Sequence, residues 1–550
     1  MKKQVYFAII LSLLSFTTIQ GQIQDDPILK AIKSEVDRNK AGLHAGNLDY
    51  PFLISYRFLN ATQTTVSASA GALQIEEKRK KNIGIADLLV GNDVFNNNND
   101  TYQSYNRQNE YPIGETDIES ALKYVIWSQL DPDYKKSAES FESKKVKIAQ
   151  QNIPEEEKKI HDWDQSTPVQ YYCKKEIKST DQNFWSEYCR KASIALSENE
   201  SIISSEFRAT ITEGDYYYYS TDGFMYRLPT CFIDLSGSVE CRSDDGQVMN
   251  EKYSFYFDDI NDVTPIDTLC TEIIKYNELL IEESKAPMIS DSYSGPVLYE
   301  GTAVSSAISR NFLNANNGLL AKRKGLSKSE NRMEQMMDKK VADRRLDFIS
   351  MTGTPRWHGQ KLLGYTPIDA QGVRPDSSLT LIKHGVLKNM LSDRTPTKTN
   401  PKSNGHSRIN MNFYFESLGA GNIRLTASQT IPEKVMKDSL LAAAKEEGYD
   451  FAYIYKGYPH MDGCFLYKVY QDGREEMVRN GSISDMNQKQ FKYILHIGTE
   501  EVIHNINNMG FITTLIVPCG IIFKELEIVR NNNMTLEKPF IVPRPLKTKK

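Results

Sequence analysis

The chain has 550 residues, of which 40% are hydrophobic and 25% are charged, as in ordinary soluble globular proteins. This length predicts more than one domain. The formal net charge is -4, from 67 basic and 71 acidic residues, and no basic stripe is present, which argues against a nucleic-acid-binding protein.

The first segment has the order of zones found in a secretory signal peptide. Two lysines precede an apolar run over 5–16, and a polar stretch ends at Gly21, where we expect cleavage. A transmembrane anchor is the alternative, but the run is shorter than the roughly 20 residues that cross a bilayer core of about 30 Å. We therefore predict cleavage of residues 1–21, no membrane span afterwards, and an exported protein that is periplasmic or extracellular.

Seven cysteines follow this segment, and none are spaced as CxxC pairs, which argues against zinc ribbons and redox motifs. Export permits disulfides. A bond from Cys173 to Cys189, or from Cys231 to Cys241, would close a short loop, and buried free thiols are the alternative. The odd number leaves at least one thiol unpaired in a monomer.

Helices and strands mix in the first half of the chain. Helical spacing of apolar residues occurs in four segments: 28–43, 117–129, 133–151 and 265–283. Thr264 is placed to cap the last of these helices. Strand patterns occur in three segments: 51–59, 64–74 and 204–212. Asp222-Gly223 lies between the runs 216–219 and 224–228, which predicts a hairpin. The polar segment 155–165 is expected to connect elements at the surface.

A polar break over 283–294 predicts a domain boundary, with domains over 22–285 and 286–550. Strands beyond the break are predicted at eight places: 296–299, 379–383, 386–391, 422–427, 451–456, 465–470, 511–517 and 521–529. Helices are predicted from about Thr302 and over 432–447. His384-Gly385 and Asp472-Gly473 mark hairpin turns. Because helices and strands do not alternate strictly, the predicted class is α+β.

Nine segments, taken in chain order, carry a resemblance to a known family: 26–27, 51–56, 121–135, 295–299, 372–373, 381–389, 403–408, 467–478 and 523–528. Together they resemble the TldD/PmbA metallopeptidase family, in the version found as secreted proteins of Gram-negative bacteria. The resemblance implies a two-domain TldD/PmbA-like fold. Its N-terminal domain would be α+β and its C-terminal domain rich in sheet.

Active members of this family carry HExxxH on the helix that follows the 295–299 strand. The two histidines bind zinc, and the glutamate acts as general base. At the matching place this chain has Ser309, Arg310 and Asn314, so both ligands and the base are replaced. The fixed positive charge of Arg310 would also repel a metal ion. The resemblance therefore implies no catalytic residue, no metal ligand and no cofactor here, with zinc expected only in intact relatives.

The helix that would carry the motif still has an apolar face, formed by Ala303, Val304, Ala307, Ile308 and Leu313. The third zinc ligand of active relatives is a C-terminal cysteine. Cys519 lies in the corresponding region, but its local sequence is more similar to the metal-free branch. We interpret Cys519 as a small buried hydrophobic residue.

A polar loop provides candidate peptide-binding residues: Ser403, Asn404, Gly405, His406 and Arg408. The resemblance places this loop at the substrate groove. An asparagine can pair with a backbone amide and an arginine with a carboxylate. The alternative is a loop whose polar groups are satisfied internally.

The resemblance implies that, in this family, a zinc-bearing subunit pairs with a zinc-free one around a groove that accepts unfolded peptide. We interpret the chain as an exported, non-catalytic homologue that acts as a structural or peptide-binding subunit. Its expected partner is a zinc-bearing TldD-like relative. Two alternatives stay open: a divergent metallopeptidase with a non-standard metal site, and a stand-alone peptide-binding protein.

Overall fold

The computed structural model describes residues 23, 25–99, 111–114, 117–150, 153–177, 180–290, 292–314, 318–323, 331–410, 416–484, 486–508, 510–531, 535–537 and 542. The predicted signal peptide lies outside these residues. The fold is mixed α+β, as the sequence predicts. One large sheet is built from residues 51–257, and the remaining sheets are built from residues 293–530.

The first part of the chain has a seven-stranded sheet with helices packed on it. Its helices are α1 (Pro27–Gly42), α2 (Ile118–Gln150), α3 (Glu155–Lys158), α4 (Gln182–Leu196) and α5 (Ile266–Lys285). Its strands are β1 (Pro51–Ser69), β2 (Ala72–Val90), β3 (Tyr111–Pro112), β4 (Gln170–Tyr172), β5 (Ile202–Ser220), β6 (Met225–Arg242) and β7 (Val248–Phe257). The strand order is β3-β2-β1-β5-β6-β4, and β7 also pairs with β6.

The two faces of this sheet have different neighbours, and the tyrosine run of β5 shows the division. Tyr217 and Tyr219 pack in a core with α1 and α2. Tyr216 and Tyr218 point to the opposite face and pack with Ile368 from the second part of the chain. Since side chains alternate along a strand, one run of tyrosines holds the helices on one side and the C-terminal part on the other.

Sequence patterns predicted some helix and strand boundaries correctly and others incorrectly. Helix α1 begins one residue before the predicted segment, at Pro27, because Asp26 Oδ1 accepts the N–H groups of Ile28 and Leu29, both at 3.0 Å. The helices predicted at 117–129 and 133–151 are one helix, α2, which contains Pro132. The proposed Thr264 cap is wrong: the residue before α5 is Pro265, with no side-chain capping bond.

The predicted strand at 64–74 is also wrong, because it contains a turn. Strand β1 ends at Ser69, and Ala70 and Gly71 have φ values of 50° and 87°, so the chain reverses into β2. Strand β3 pairs with β2 only at Ile83 and Gly84. Residues 76–80 of β2, with sequence EEKRK, are all exposed.

The seven cysteines are free thiols in the structure. Cys231 and Cys241 lie on the same strand, β6. Ten residues of extended strand span about 33 Å, and a disulfide requires Cα atoms within about 7 Å. The alternative bond between these two cysteines is therefore excluded.

In the second part of the chain, the described residues form two large sheets, two ribbons and two α-helices. The helices are α6 (Thr302–Phe312) and α7 (Met436–Glu446), with short 3-10 turns at Glu334–Met336, Glu433–Val435 and Gln490–Lys492. The strands are β8 (Tyr293–Gly301), β9 (Leu346–Ser350), β10 (Arg356–Trp357), β11 (Gln360–Lys361), β12 (Leu379–Lys383), β13 (Val386–Leu387), β14 (Ser407–Ile409), β15 (Glu416–Leu418), β16 (Asn422–Ala427), β17 (Phe451–Gly457), β18 (Cys464–Tyr470), β19 (Glu475–Val478), β20 (Gly481–Ile483), β21 (Ile494–Ile497), β22 (Glu501–Asn508), β23 (Phe511–Pro518) and β24 (Gly520–Arg530).

These strands are arranged so that α6 lies in the main core. One sheet has the order β13-β12-β9-β16-β23-β22, and the other has the order β19-β18-β17-β8-β24-β20, with β21 also on β24. Apolar residues of both sheets and of α6 form one buried cluster. Helix α7 covers the other side of the β8-containing sheet, where Met436 and Leu440 pack with Leu298. No helix in the described ranges is long and apolar enough to cross a membrane.

The two parts of the chain meet through buried polar groups. The segment 155–165 was expected at the surface, but Asp162, Trp163 and Asp164 are buried. Arg394 from the second part is fully buried and donates to the main-chain oxygen of Asp164. The segment is therefore part of the junction rather than an exposed connection.

Candidate functional site

Helix α6 starts directly from the central strand β8 through a tight glycine. Gly301 has a φ of 63°, and a Cβ there would lie 2.4 Å from the main-chain oxygen of Gly457. Only glycine suits both the conformation and the close approach. The Thr302 hydroxyl donates to the oxygen of Tyr458 at 3.1 Å, which fixes the first turn of the helix.

The predicted apolar face of α6 is confirmed by burial. Ala303, Val304, Ala307, Ile308 and Leu313 are each at most 4% exposed. They pack between the two large sheets. The helix is thus held in place along its whole length, and its last turn presents a defined set of side chains.

That last turn carries the residues that the sequence resemblance assigns to the zinc motif. Arg310 is exposed, and Ser309 and Asn314 are partly buried. The helix ends at Phe312, so Asn314 lies beyond it. The Asn314 Nδ2 group donates to the main-chain oxygen of Arg310 at 3.0 Å, and so satisfies a carbonyl at the helix end.

These three side chains do not fit a zinc ion. Zinc sites in proteins use thiolate, imidazole or carboxylate ligands. Here the groups are a hydroxyl, a guanidinium and a carboxamide whose nitrogen already serves the helix end. The positive charge of Arg310 also acts on Cys464, but burial dominates and raises the pKa of that thiol to about 11.

Cys519 lies at the opposite end of α6 from Ser309 and Asn314. Its main-chain oxygen accepts the N–H of Gly301 at 2.8 Å, just before the helix begins. Ser309 is eight residues further on, which corresponds to about 12 Å along the helix axis. Cys519 is buried, at 4% exposed. It therefore does not join these residues in one ligand set.

Cys519 belongs to a different group of side chains that could ligate a metal. Ligand atoms of Glu433, Glu500 and Cys519 lie within 4.8 Å of one another, and this is the one such group in the described ranges. Burial raises the pKa of Cys519 to about 12, with further contributions from both glutamates, so the thiol is protonated at neutral pH. Glu500 Oε2 accepts the N–H of Glu433 at 2.9 Å and caps the short 3-10 turn there. The Glu500 carboxylate is thus already engaged in a main-chain hydrogen bond.

The 403–408 loop is held by its own polar groups and by the first part of the chain. Asn404 Oδ1 accepts the N–H of Ser392 at 2.8 Å, and its Nδ2 donates to the oxygen of Met390 at 2.8 Å. The N–H of Ser403 donates to Asp164 Oδ2 at 3.0 Å. Gly405 has a φ of 81°, and a Cβ there would lie 2.6 Å from Pro375 N.

His406 lies in a buried network that was not predicted. Its Nδ1 is 2.7 Å from Asn404 Oδ1, and its Nε2 is 2.8 Å from Ser350 Oγ and 3.1 Å from Thr352 Oγ1. Since Asn404 Oδ1 is an acceptor, Nδ1 carries the proton and Nε2 accepts from the hydroxyls. Burial, and then the charge of Arg408, lower the pKa of His406 to about 3, so the ring is neutral.

This serine, histidine and asparagine are connected in the order found in nucleophilic hydrolases. However, Ser350 and His406 are each 1% exposed, so a substrate cannot reach the serine. The network stabilises the loop. Sequence reasoning missed it because Ser350 and Thr352 lie more than 50 positions from His406 and carry no motif.

Arg408 differs from the other four loop residues. It is 9% exposed, and its Nε is buried with no hydrogen-bond partner among the residues that the structure describes. Burial lowers the pKa of Arg408 to about 10, and the charge of Asp369 acts in the opposite direction. Arg408 thus retains its hydrogen-bonding capacity, whereas Ser403, Asn404, Gly405 and His406 are engaged within the fold.

Comparison with known proteins finds a matching family model for part of the sequence and solved structures with a similar fold. Residues 292–516 match the model for the PmbA/TldA metallopeptidase C-terminal domain. The fold is similar to those of a proposed modulator of a DNA gyrase from Thermotoga maritima, TldE from Thermococcus kodakarensis and a proposed modulator of DNA gyrase from Bacteroides thetaiotaomicron. Each has a TM-score of 0.53 and 12% sequence identity.

The three alignments cover 91%, 90% and 92% of this chain, and 99%, 99% and 98% of the respective solved chains. No curated protein matches the chain in sequence. Identities this low establish the fold alone. The chain therefore has the fold of these proteins and, over residues 292–516, matches the C-terminal domain of the PmbA/TldA metallopeptidases.

Proposed function

We propose that the chain is an exported, non-catalytic homologue of the TldD/PmbA metallopeptidases that acts as a structural or peptide-binding subunit. The observation that carries the proposal is the residue set at the end of α6. Ser309, Arg310 and Asn314 occupy the positions that match the family's zinc ligands and general base. Helix α6 keeps its buried apolar packing while these positions lack metal-binding chemistry.

The decisive experiment is elemental analysis of the purified mature protein together with a peptidase assay on unfolded peptides. We expect no stoichiometric zinc and no cleavage. A triple variant, Ser309→His with Arg310→Glu and Asn314→His, should also stay inactive, because Asn314 lies beyond the end of the helix. About one zinc per chain, removed by a chelator together with an activity, would refute the proposal.

The second candidate function is a divergent metallopeptidase, which the cluster of Glu433, Glu500 and Cys519 favours. A variant separates it from the first. If the protein binds zinc at this cluster, Cys519→Ser should abolish zinc binding. If it binds zinc elsewhere, the same substitution should leave zinc binding unchanged. The matched control is Cys270→Ser, which changes a partly exposed cysteine on α5, away from these glutamates.

The proposed partner is an exported, zinc-bearing TldD-like relative. A zinc-free subunit would complete the chamber that restricts access to the metal of its partner. Stable subunit interfaces of this kind bury about 2,000 Å² or more, so the complex should survive purification from periplasm or culture medium. Recovery of a zinc-containing relative at near-equal stoichiometry would support the proposal. A monomer or homodimer, in cells that export such a relative, would favour a stand-alone peptide-binding protein.

Export is proposed from the sequence of residues 1–21. Mass spectrometry of the N-terminus, in the native host, should find a mature chain that begins close to residue 22. A cytoplasmic protein that retains Met1 would contradict this part of the proposal. The result is independent of the metal analysis, so the two parts are tested separately.

A further inference from the structure

Arg408 and Ser417 lie directly opposite each other in the β14–β15 ribbon. Opposed side chains of antiparallel strands project from the same face, with Cβ atoms about 5 Å apart. Arg408 Nε and Ser417 Oγ are both buried, and neither has a hydrogen-bond partner in the described ranges. Two neighbouring donors without an acceptor define a small polar site on the ribbon.

An unpaired guanidinium in this position is unfavourable, because arginine stays charged and burial removes its hydration. Buried polar groups in native proteins are nearly always satisfied, and an exception calls for a ligand or a strained role. Arg408 is nine-tenths buried but keeps 9% exposure, so its side chain is not sealed from solvent. Nε is the one guanidinium nitrogen that is buried without a partner, and the Nη groups are not among such atoms, so a ligand would first meet the Nη end of the guanidinium.

The acidic groups near Arg408 are already engaged. Asp369 Oδ1 accepts the N–H groups of Gln371 and Val373 at 2.9 and 2.8 Å, and Oδ2 accepts the N–H of Ser407 at 3.1 Å. Within the described ranges no ion pair joins Asp369 to Arg408. The charge of Asp369 offsets part of the cost of burying Arg408 but does not fill its donors.

Glu416, on the neighbouring strand of the ribbon, is engaged as well. Its Oε2 pairs with Arg57 Nη1 at 2.9 Å, and its Oε1 accepts from Gln371 Nε2 at 3.0 Å. His406, the adjacent loop residue with a titratable ring, is neutral because of its burial. Within the described ranges the site thus has a cation and a hydroxyl but no free anionic acceptor.

We propose that Arg408 and Ser417 form a carboxylate-binding site for a peptide, whose terminal or side-chain carboxylate accepts hydrogen bonds from the guanidinium and from the serine hydroxyl. A guanidinium presents parallel N–H groups that match the two oxygens of a carboxylate. The serine hydroxyl adds a third donor that can rotate toward either oxygen. The inference rests on the proposed peptide-binding function and names the group of the peptide that is recognised.

The test is calorimetric titration of the mature protein with one unfolded peptide in three forms: the free acid, the C-terminal amide, and an amide that contains one internal glutamate. A charge-assisted hydrogen bond corresponds to about tenfold or more in affinity. We expect the free acid to bind about tenfold more tightly than the plain amide. If the glutamate-containing amide binds as tightly as the acid, the source is an acidic side chain.

Variants link this preference to the site. Arg408→Gln should remove the preference for a carboxylate, and Ser417→Ala should reduce it. Arg374→Gln is the matched control, since it removes the same charge from an exposed arginine in a nearby loop. Equal binding of all three peptides by the wild type, or a preference that survives in Arg408→Gln, would overturn the inference while peptide binding itself stands.

A second measurement does not depend on peptide. Arg408→Met replaces an unpaired buried cation by an apolar chain of similar length, so it should raise the midpoint of thermal unfolding in chloride buffer. Acetate, compared with chloride at equal ionic strength, should stabilise the wild type and not the variant. A lower midpoint for Arg408→Met in chloride, or stabilisation by inorganic phosphate but not by acetate, would refute a carboxylate site. Stabilisation by acetate without binding of any peptide would support the site and refute the proposed peptide-binding function.

Discussion

Replacement of Arg394 by methionine should weaken the junction between the two parts of the chain. Its guanidinium donates to the oxygen of Asp164 from Nε at 3.0 Å and from Nη2 at 2.8 Å, and to Asp222 Oδ2 at 2.5 Å. The rings of Trp163 and Phe224 lie 4.7 and 4.5 Å from Cζ. Arg394 is 0% exposed, so all of these contacts are made away from water.

The expected cost follows from what the substitution leaves behind. Removing one partner of a buried ion pair typically costs about 3–5 kcal/mol, because the other charge stays unpaired. The side chain of Asp222 is 28% exposed and can recover part of its hydration, so the lower end of the range applies. Methionine keeps the apolar volume between the two rings. We therefore expect Arg394→Met to lower the free energy of unfolding by about 3 kcal/mol.

The assay is urea denaturation followed by tryptophan fluorescence, in which Trp163 reports directly on the junction. In the Arg394→Met background, Asp222→Asn should lower the free energy of unfolding by less than about 1 kcal/mol further. The reason is that the two side chains form one ion pair, so their effects are coupled. Lys383→Met is the control, because Lys383 is 51% exposed in its ion pair with Asp347 and should cost less than about 1 kcal/mol. A cost for Arg394→Met no larger than that of the control, or additive effects with Asp222→Asn, would refute the reasoning.

Three further substitutions test other parts of the structure. Gly301→Ala should lower the free energy of unfolding by about 3 kcal/mol, because it combines a positive φ with a clash against Gly457, as measured by urea denaturation. Glu283→Gln should stabilise the protein at pH 8 and lose that advantage toward pH 4, since burial raises the pKa of Glu283 to about 7 and its ionisation opposes folding. Cys519→Ser should leave the zinc content of the purified protein unchanged at zero, as checked by elemental analysis.

Each of these has its own control or opposing result. Gly448 has a φ of 85° and open space around its Cβ position, so Gly448→Ala isolates the backbone term of about 1 kcal/mol. If Gly301→Ala lowers the free energy of unfolding no more than Gly448→Ala does, the neighbouring groups must shift enough to remove the clash with Gly457. A constant stability difference for Glu283→Gln between pH 4 and pH 8 would show that the carboxyl titrates normally. Zinc lost specifically in Cys519→Ser would identify a metal site there.

Sequence patterns predicted correctly those elements that depend on residues close together in the chain. The His384-Gly385 hairpin turn is confirmed, with φ values of 47° and 72°. Strand β16 has the predicted bounds, 422–427. Helix α2 continues through Pro132 because Leu130 and Tyr134 are both buried on one face, and packing outweighs the lost main-chain bond.

The candidate site could be predicted only in part, for the same reason. The residues at the end of α6 are adjacent in sequence, so a motif comparison can identify them. The surroundings of His406 and Arg408 come from distant segments, because Ser350 and Ser417 reach them only after the sheets have formed. Whether a polar residue is satisfied or unpaired depends on such neighbours, and no pattern in the sequence records them.

The exposed part of β2 affects how the protein behaves at high concentration. Beyond the short pairing with β3, no described strand pairs with the outer edge of β2, so main-chain donors and acceptors there could join a second copy of the chain. The sequence EEKRK over 76–80 places charged side chains on both faces of that edge. Bringing two such edges together would bury these charges, which opposes sheet extension between molecules. Threonine in place of the three basic residues of this stretch should therefore convert a dispersed protein into one that forms intermolecular sheet.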